Sequence, residues 1–535
     1  MKTSAALVAV AATAAQAALQ PIVMKGSKLF YENGTQFFMK GVAYQQDTAA
    51  AGESTGSSTY VDPLADSAAC KRDVPLLQKL GTNIIRTYAI DPTKDHSACM
   101  KLLDAAGIYV ISDLSEPSLS INRDDAAWDV ELYERYTAVV DELAQYDNVV
   151  GFFAGNEVTN NVSNTDASAY VKAAVRDTKK YISDKNYRWL GVGYASNDDV
   201  DIRDEITNYF NCGDSSDSID FWGYNIYSWC GESTMEKSSY SEHVQYFKNY
   251  SVPVFFAEYG CNEPNGAAGR IFQETTALYN SEMTDVFSGG IVYMYFQEAN
   301  DYGLVKIDSN DDATKLKDYA SLSSRVAAAT PSGVESDSYK SSNTAAACPD
   351  IGENWIASSE LPPTPDADLC TCLLKSASCI PASSLKVKAY SDIFDYICGE
   401  NESLCVGING NATTGIYGAY SMCPAKAKLA YVLDAYYKDQ NSASTACDFD
   451  GQATTQTPST ASSCEDSLAA ASSANAIAAT ATAGSSTNSS SDSSSTDDSF
   501  GNPSAAIVRL FSLGDFAVGA YLVAAGAVGA GMVLL

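Results

Sequence analysis

Short apolar runs rich in β-branched and aromatic residues alternate along the chain with longer segments of helical period. Eight such runs occur between residues 19 and 350: Phe37–Tyr44, Asn83–Ala89, Tyr109–Leu114, Val149–Gly155, Trp189–Tyr194, Ile219–Tyr227, Val252–Glu258 and Gly290–Phe296. Segments such as Leu132–Tyr146 and Ala167–Ile182 place apolar residues at helical spacing between them. Near-continuous apolar strands separated by helices predict a parallel sheet covered on both faces.

Eight strand–helix units within roughly 300 residues predict an α/β fold, a (β/α)8 TIM barrel over residues 19–350. A doubly wound open sheet is the alternative that the same alternation allows. No Gly-x-Gly-x-x-Gly sequence opens a helix after the first run, which argues against the nucleotide-binding form of that alternative.

The two ends of the chain carry targeting patterns. Lys2 precedes an apolar Ala/Val/Leu stretch that ends near Ala17, which predicts a signal peptide over residues 1–18. Residues 516–535 contain no charge and follow a small-residue trio and a short spacer. This order predicts a glycosylphosphatidylinositol (GPI) signal over residues 505–535, with attachment at Ser504. An ordinary transmembrane helix is the alternative.

The 14 cysteines divide the mature chain, since six are scattered up to Cys348 and eight crowd between Cys370 and Cys464. Dense cysteines predict a small domain held by disulfides, here over residues 368–466. A proline-rich linker over 351–367 joins it to the barrel. Beyond it the sequence is rich in Ser, Thr and Ala, and lacks Lys and Arg between Lys438 and Arg509, which predicts a disordered stalk over 467–504.

The net charge argues against one class of partner. The chain has 34 Lys and Arg against 66 Asp and Glu, a net charge of −32, which repels phosphate backbones and argues against a nucleic-acid partner. It has two histidines and no cysteine pairs at zinc spacing, so we expect neither a metal nor another cofactor.

Two acidic residues stand directly after apolar strands. The fourth run is followed by Asn156 and Glu157, and the seventh ends in Glu258. Barrel enzymes place their active sites at these strand ends. Two carboxylates about 5–5.5 Å apart across the mouth would form the acid/base and nucleophile of a retaining glycosidase. The alternative is that each Glu is solvated or pairs with an arginine such as Arg86.

Other polar and aromatic residues occupy the predicted strand ends: Arg86 and Tyr88, Asp113, Tyr224 and Tyr227, and Tyr293 and Tyr295. Tyrosine offers an apolar face for a sugar ring and a hydroxyl to orient it. Strand alternation predicts that Tyr293 and Tyr295 face the same way, so it does not choose between them. Asn156 is placed to hydrogen-bond a sugar 2-hydroxyl.

These residues lie in motifs that resemble a known family, the fungal β-1,3-glucanosyltransferases of glycoside hydrolase family 72. The motifs are GVAYQ (Gly41–Gln45), RTYAID (Arg86–Asp91), GFFAGNEV (Gly151–Val158), YNIYSWCG (Tyr224–Gly231), FFAEYGC (Phe255–Cys261) and GGIVYMYF (Gly289–Phe296). The resemblance spans the predicted barrel. It implies a cell-surface enzyme that cleaves an internal β-1,3-glucosidic bond and transfers the new reducing end to the 3-hydroxyl of another glucan. An endo-β-1,3-glucanase and a non-catalytic glucan-binding wall or adhesion protein are the alternatives.

The resemblance also implies roles for individual residues. Glu157 matches the acid/base and Glu258 the nucleophile of the family. Its substrate-binding positions match Tyr88 and Asn156 at the donor site, Gln45 and Tyr227 along the cleft, Asp198 and Arg203 at the acceptor site, and Tyr293, with Tyr295 as the alternative, on the eighth strand. The implied disulfides of the barrel are Cys70–Cys99, Cys212–Cys348 and Cys230–Cys261.

The cysteine-rich region resembles the small, mainly helical family 43 carbohydrate-binding module. The resemblance rests on Cys370 and Cys372, on FDYIC (Phe394–Cys398), on GIYGAYSMC (Gly415–Cys423) and on the Tyr436–Tyr437 pair. It implies the disulfides Cys370–Cys423, Cys372–Cys464, Cys379–Cys447 and Cys398–Cys405. Phe394, Tyr396 and Tyr437 either contact glucan or pack in the core.

Together these features predict a monomer at the extracellular face of the plasma membrane, or in the cell wall. The GPI anchor would be its link to the membrane, and β-1,3-glucan chains would be its donor and acceptor partners.

Overall fold

The parallel barrel is closed. In the computed structural model, which describes residues 19–46 and 60–487, each barrel strand pairs in parallel with the next, and the eighth pairs with the first. The strands, numbered one to eight below, are Met39–Ala43, Ile84–Thr87, Tyr109–Asp113, Val149–Asn156, Gly191–Asn197, Phe221–Asn225, Val254–Tyr259 and Phe287–Val292. The predicted (β/α)8 fold is therefore confirmed, and the open sheet is excluded.

Helices cover the outside of the barrel. They are α1 (Ser67–Leu80), α2 (Ser97–Ala105), α3 (Val130–Leu143), α4 (Ala167–Asp184), α5 (Arg203–Asn211), α6 (Tyr240–Phe247), α7 (Gln273–Leu278), α8 (Ser281–Thr284) and α9 (Lys317–Ala328). One apolar cluster fills the barrel interior, where Phe153, Phe221 and Phe255 pack together. A second, larger cluster lies between the strands and the helices. Every strand is therefore buried on both faces, as its near-continuous apolar sequence requires.

The eighth strand ends earlier than its apolar run. It stops at Val292, and the two tyrosines that follow point to different places. Tyr295 donates to Asp73 at 2.9 Å and packs on Tyr44, with ring centroids 5.3 Å apart. Tyr293 instead lies beside Tyr88, with ring centroids 6.4 Å apart. The prediction that both face the same way was wrong, because alternation holds only while the chain remains a strand.

The cysteine-rich module is built mainly from helices. These are α10 (Ala367–Ser376), α11 (Tyr390–Glu400), α12 (Ala425–Asp439) and α13 (Ser462–Thr487). Short antiparallel pairs join Cys379–Pro381 to Ala453–Thr455 and Gly410–Asn411 to Ile416–Tyr417; in the barrel domain, Val23–Lys25 pairs with Lys28–Phe30 and Val305–Ile307 with Ala313–Lys315. Turns of 3-10 helix occur at Val162–Asn164, Ala267–Gly269, Val387–Ala389, Glu402–Cys405, Ser444–Cys447 and Phe449–Gly451.

Disulfides staple both domains. The described residues form Cys70–Cys99, Cys212–Cys348, Cys230–Cys261, Cys370–Cys423, Cys372–Cys464, Cys379–Cys447 and Cys398–Cys405. Each bond joins the two cysteines that the family resemblance implied. The bonds of the module surround a small core whose centre includes the fully buried Phe394.

The segment predicted as a linker lies on the barrel. Trp355 is 1% exposed and packs on Tyr209, whose hydroxyl donates to the Ser358 carbonyl at 2.6 Å. Thr364 donates to the buried Asp177 of α4 at 2.7 Å. The module also touches the barrel, since the Val130 amide donates to the Met422 carbonyl at 3.0 Å. The prolines therefore do not hold the domains apart, because the apolar side chains among them are buried.

Helix α13 occupies the start of the predicted stalk, which differs from the disorder that we expected from residue 467. Alanine has the strongest helix propensity, and this segment is rich in it. Ala471 is buried against the module, and the Asn475 side chain accepts from the Ala419 amide at 2.8 Å.

The remaining predictions for the two ends of the chain concern residues that the structure does not describe. The signal peptide, residues 488–504 of the stalk, the Ser504 attachment site and the GPI signal lie outside the described residues. Within the two described ranges, no helix is both long and apolar enough to cross a bilayer.

Candidate active site

Glu157 follows directly after strand four and is partly exposed at the barrel mouth. Its backbone lies in the left-handed region at φ 49°, which costs a non-glycine residue about 1–2 kcal/mol. Residues strained in this way cluster at active sites. The Asn225 amide donates to its Oε1 at 2.7 Å. Burial and the charge of Glu258 raise the pKa of Glu157, whereas this hydrogen bond lowers it. The net upward shift favours a protonated carboxyl, as a general acid requires.

Glu258 lies within strand seven and is 5% exposed. Its two carboxylate oxygens are held from opposite sides. Tyr88 donates to Oε1 at 2.7 Å and Tyr227 donates to Oε2 at 2.8 Å. The Arg86 guanidinium lies 3.4 Å from Oε1. These donors fix the orientation of an ionised carboxylate, as a nucleophile requires.

Arg86 is the fully buried cation at the centre of the site. It binds both oxygens of Asp113, at 3.0 and 2.9 Å, and donates to Asn156 Oδ1 at 2.9 Å. Its guanidinium lies 4.4 Å from the ring centroids of Tyr88 and of Phe153. Burial raises the pKa of Asp113 to about 6, even though the charge of Arg86 lowers it. The sequence left open that a glutamate pairs with Arg86. Glu258 does contact Arg86, which also binds Asp113 and Asn156.

A continuous set of polar contacts connects the two glutamates. Asn225 donates both to Glu157 and to Asn156 Oδ1, the latter at 3.1 Å, and Arg86 links Asn156 to Glu258. Asn225 also lies opposite Glu258 in the pairing of strands six and seven. The carboxyls therefore share one site at the mouth of the barrel. A raised-pKa acid beside a fixed carboxylate is the arrangement that glycosidic bond cleavage needs.

Aromatic rings line this site. Four rings form a row in space, in the order Tyr88, Tyr293, Tyr302 and Tyr227. The centroids of successive rings are 6.4, 5.3 and 5.8 Å apart. The structure thus brings three predicted tyrosines together and adds Tyr302. Successive ring faces and hydroxyls suit a chain of pyranose units.

Gln45 lies behind the site. It is 6% exposed, and its Oε1 accepts from the backbone amides of Tyr88 and Ala89 at 3.0 and 3.1 Å. Its Nε2 donates to the Val61 carbonyl at 2.6 Å. In the structure the Gln45 amide therefore orients the segment that carries Tyr88.

Asp198 and Arg203 form a second polar cluster, after strand five. Arg203 donates to Asp198 Oδ1 through Nε at 2.8 Å and through Nη2 at 2.6 Å, and Tyr224 donates to the same oxygen. The fully buried His243 lies 3.4 Å from Asp198 Oδ2. Burial raises the pKa of Asp198, but the adjacent His243 ring, the hydrogen bond from Tyr224 and the charge of Arg203 bring it to about 2. Asp198 therefore stays ionised.

Sequence reasoning missed Asn225, Tyr302 and His243. Asn225 follows Tyr224 within a motif that we singled out, and its place at the end of strand six is a signal that applied to it equally. Tyr302 and His243 are distant from the strand ends in sequence, and only packing brings them to these clusters. Among residues 19–46 and 60–487, no group of three metal-ligating side chains is close enough to hold an ion.

Known proteins resemble both parts of the chain. The profile of the glycoside hydrolase 72 family, described as glucanosyltransferase, matches residues 11–330, and that of the X8 domain matches residues 377–454. A 1,3-beta-glucanosyltransferase of Arthroderma benhamiae is 55% identical over 471 residues, which cover 85% of this chain and 86% of the relative. The 1,3-beta-glucanosyltransferase gas1 of Schizosaccharomyces pombe is 46% identical over 463 residues, 86% of this chain and 83% of the relative.

A solved structure extends the likeness to three dimensions. Saccharomyces cerevisiae Gas2p in complex with laminaritriose and laminaritetraose matches with a TM-score of 0.74 and 42% sequence identity, covering 82% of this chain and 97% of that chain. These matches confirm the family that the motifs indicated, including the module after the barrel. The chain therefore belongs to the glucanosyltransferase family, glycoside hydrolase family 72, and carries a C-terminal X8 domain.

Proposed function

We propose that the protein is a β-1,3-glucanosyltransferase that elongates cell-wall glucan by a retaining double displacement. The observation that carries this proposal is the polar network joining Glu157 and Glu258 at the ends of strands four and seven. The substrate class is supported by the laminari-oligosaccharides bound to the related Gas2p.

In the first half of the reaction, Glu258 attacks the anomeric carbon of an internal glucose unit. The bond from that carbon to the glycosidic oxygen breaks, and Glu157 gives its proton to the departing oxygen. A fragment with a new non-reducing end leaves, and the remaining glucan is bound covalently to Glu258. The hydrogen bonds from Tyr88 and Tyr227 position the attacking carboxylate. We assign Asn156 to bind the sugar 2-hydroxyl.

In the second half, the 3-hydroxyl at the non-reducing end of another glucan attacks the anomeric carbon. Glu157, now ionised, takes the hydroxyl proton while the bond to Glu258 breaks, so a longer chain forms and both carboxyls return to their starting states. We assign Asp198 and Arg203 to the acceptor side, because their cluster lies beyond the end of strand five.

Transfer rather than hydrolysis requires that a bound acceptor outcompete water. Well-oriented groups reach effective molarities of about 10⁵ M or more, far above that of bulk water. An acceptor held beside Glu157 therefore meets this requirement. An endo-β-1,3-glucanase would keep the same glutamates and lack productive acceptor binding.

The test is a product-length assay on a laminari-oligosaccharide of one defined length, read by mass spectrometry. We expect products longer than the substrate, and shorter products alone would identify a glucanase. Glu258→Gln removes the nucleophile and should lower turnover by several orders of magnitude, roughly 10⁴-fold or more. Unchanged turnover in this variant would mean that the measured activity does not come from Glu258, and absence of turnover in the parent would favour a non-catalytic glucan-binding protein.

We also propose that the X8 domain binds glucan on the rings of Tyr396, Tyr436 and Phe449. Tyr396 is 50% exposed, and the three rings line a cavity of about 340 Å³ together with Asp448 and Asp450. Apolar ring faces beside carboxylates match the alternating CH and OH surfaces of a sugar. Phe394, in contrast, is fully buried and packs in the core.

We infer that the protein works outside the cell and is held at the plasma membrane or in the cell wall by a GPI anchor at Ser504. Seven disulfides among the described residues support an oxidising, extracellular environment. Release of the protein from intact cells by a phosphatidylinositol-specific phospholipase would support the anchor, and retention after treatment would argue against it.

A further inference from the structure

His96 lies fully buried between two carboxylates, outside the active site. Its Nε2 is 2.8 Å from Asp62 Oδ2, and its Nδ1 is 2.8 Å from Glu142 Oε1 on helix α3. A neutral imidazole carries one N–H and can donate to only one of them, whereas the imidazolium donates to both. Because each ring nitrogen has one carboxylate at hydrogen-bond distance, the protonated ring is favoured.

Asp62 connects His96 to the backbone of the segment around it. Its Oδ1 accepts from the amides of Leu64 and Ala65 at 2.9 and 3.1 Å, and its Oδ2 also accepts from the Asp91 amide at 2.8 Å. Asp62 thus ties residues 60–65 to the segment after strand two. His96 holds the carboxylate that makes these bonds.

Residues 60–65 in turn hold the active-site tyrosine. The Val61 carbonyl accepts from Gln45 Nε2 at 2.6 Å, and Gln45 Oε1 accepts from the Tyr88 amide at 3.0 Å. The Tyr88 hydroxyl donates to Glu258 Oε1 at 2.7 Å. An unbroken set of contacts therefore leads from the imidazole to the carboxylate assigned as nucleophile.

We propose that His96 is a positioning residue for the transfer reaction, and that its protonated form holds Asp62 and so keeps Tyr88 placed against Glu258. The proposal rests on the proposed function, because it takes Glu258 as the nucleophile. Charge-assisted hydrogen bonds are shorter and stronger than neutral ones. Loss of the proton leaves one of the two carboxylates without its donor and loosens residues 60–65.

The surroundings of His96 favour the cation. Asp62 and Glu142 face the ring, Asp95 precedes it, and Asp91 is bound to Asp62 through its amide. On the α3 side, Tyr146 donates to Glu142 Oε1 at 3.3 Å, while Arg135 is engaged with the backbone carbonyls of residues 90, 114 and 115.

The pKa of His96 fixes the sign of the pH effect. Burial lowers the pKa of His96, but the hydrogen bonds and charges of Asp62 and Glu142 outweigh burial and raise it above its usual value. A raised pKa in the folded state means that the contact stabilises the fold at acidic pH. The stabilisation is lost as the pH rises through the raised value.

The test uses the fact that the chain has only two histidines. In the full-length protein labelled with ¹³C-histidine, NMR shows two imidazole signals, and His243→Gln identifies which belongs to His96. We expect the His96 signal to titrate above the range of an ordinary histidine. Over the same pH interval kcat for transfer should fall about tenfold with little change in KM, the size expected for one lost charge-assisted hydrogen bond.

Two variants separate this effect from the titration of Glu157. His96→Gln cannot titrate, so its kcat at acidic pH should already be about tenfold below that of the parent and should lack the step. Glu142→Gln removes one of the two facing carboxylates and should move the NMR titration and the kcat step together to lower pH. Should His96→Gln fail to fold, Glu142→Gln still provides the test. Glu134→Gln, an exposed change on the same helix, is the matched control and should leave both in place.

The inference fails if His96 does not titrate above the ordinary range, or if the kcat step stays unchanged in His96→Gln or Glu142→Gln. These results would leave the proposed function intact as long as longer products form. Absence of longer products at every pH would instead overturn the proposed function. The NMR titration and the pH dependence of thermal unfolding would then still report whether His96 anchors residues 60–65.

Discussion

Asn225 controls how firmly Glu157 holds its proton. Its amide donates to the carboxylate and stabilises the ionised form, so Asn225→Ala should raise the pKa of Glu157 further. Because the first step needs protonated Glu157, we expect the alkaline limb of the kcat/KM profile to move up by about one pH unit. Asn211→Ala, which removes a buried amide bonded to Ser251, is the matched control and should leave the limb unchanged. A limb that moves to lower pH in Asn225→Ala would contradict this account.

Arg86 compensates buried negative charge as well as orienting the site. Arg86→Met would leave Asp113 buried and unpaired, and we expect a loss of about 3–5 kcal/mol in the free energy of unfolding at pH 7. The loss should shrink at pH 5, since Asp113, whose pKa is about 6 even beside Arg86, then becomes protonated. Urea unfolding at both pH values measures it. Adding Asp113→Asn should restore part of the stability, and no restoration would mean that the cost lies in packing.

At the scale of elements, the three rings that we propose bind glucan lie on three different segments. Tyr396 lies on helix α11, Tyr436 on helix α12 and Phe449 on the 3-10 turn at Phe449–Gly451. Disulfides lie close by in sequence, at Cys398 after Tyr396 and at Cys447 before Phe449, so two of these segments are fixed in place. Phe449 and Asp450 have φ values of 45° and 55°, a left-handed conformation that few non-glycine residues adopt.

Tyr396→Ala should therefore weaken retention on insoluble β-1,3-glucan by about fivefold, corresponding to about 1 kcal/mol for one ring contact. The measurement is a pull-down in the Glu258→Gln background, where the glucan is not consumed. Tyr396→Phe keeps the ring and loses only the hydroxyl near Tyr436, so it should bind almost as well as the parent. Equal loss in both variants would point to the hydroxyl, and no loss in either would exclude this surface.

At the scale of the whole molecule, the disulfides differ in how much chain they close. Cys212–Cys348 spans 136 residues, and Cys398–Cys405 spans 7. Loop-closure entropy predicts that opening them costs about 5 and about 2 kcal/mol. Paired Cys→Ala variants, compared by thermal unfolding, should show the larger decrease in Tm for the long loop. The reverse order would show that local packing, not chain entropy, sets the contribution of these bonds.

Glu157 and Glu258, which we propose as the catalytic pair, could be singled out in the sequence because a carboxylate directly after an apolar strand is costly to place without a role. Tyr302 and His243 carried no such pattern, since a tyrosine in a loop or a histidine on a helix has many ordinary uses. The orientations of Tyr293 and Tyr295 were also beyond the sequence. They depend on where strand eight ends, and apolar residues continue past that point.

The order of strands and helices, the division into two domains and the residue types at the strand ends could be read from the sequence, whereas the closure of the sheet into a barrel rests on the pairing of strand eight with strand one. The first three features follow from local periodicity and from the cost of burying charge, and both can be recognised from residues close together in the sequence. Tertiary structure alone decided that Asn225 touches Glu157, that His96 lies between Asp62 and Glu142, and that an alanine-rich stretch becomes a docked helix. Each of these outcomes depends on contacts between residues far apart in the chain, whose distances and shared burial no local pattern records.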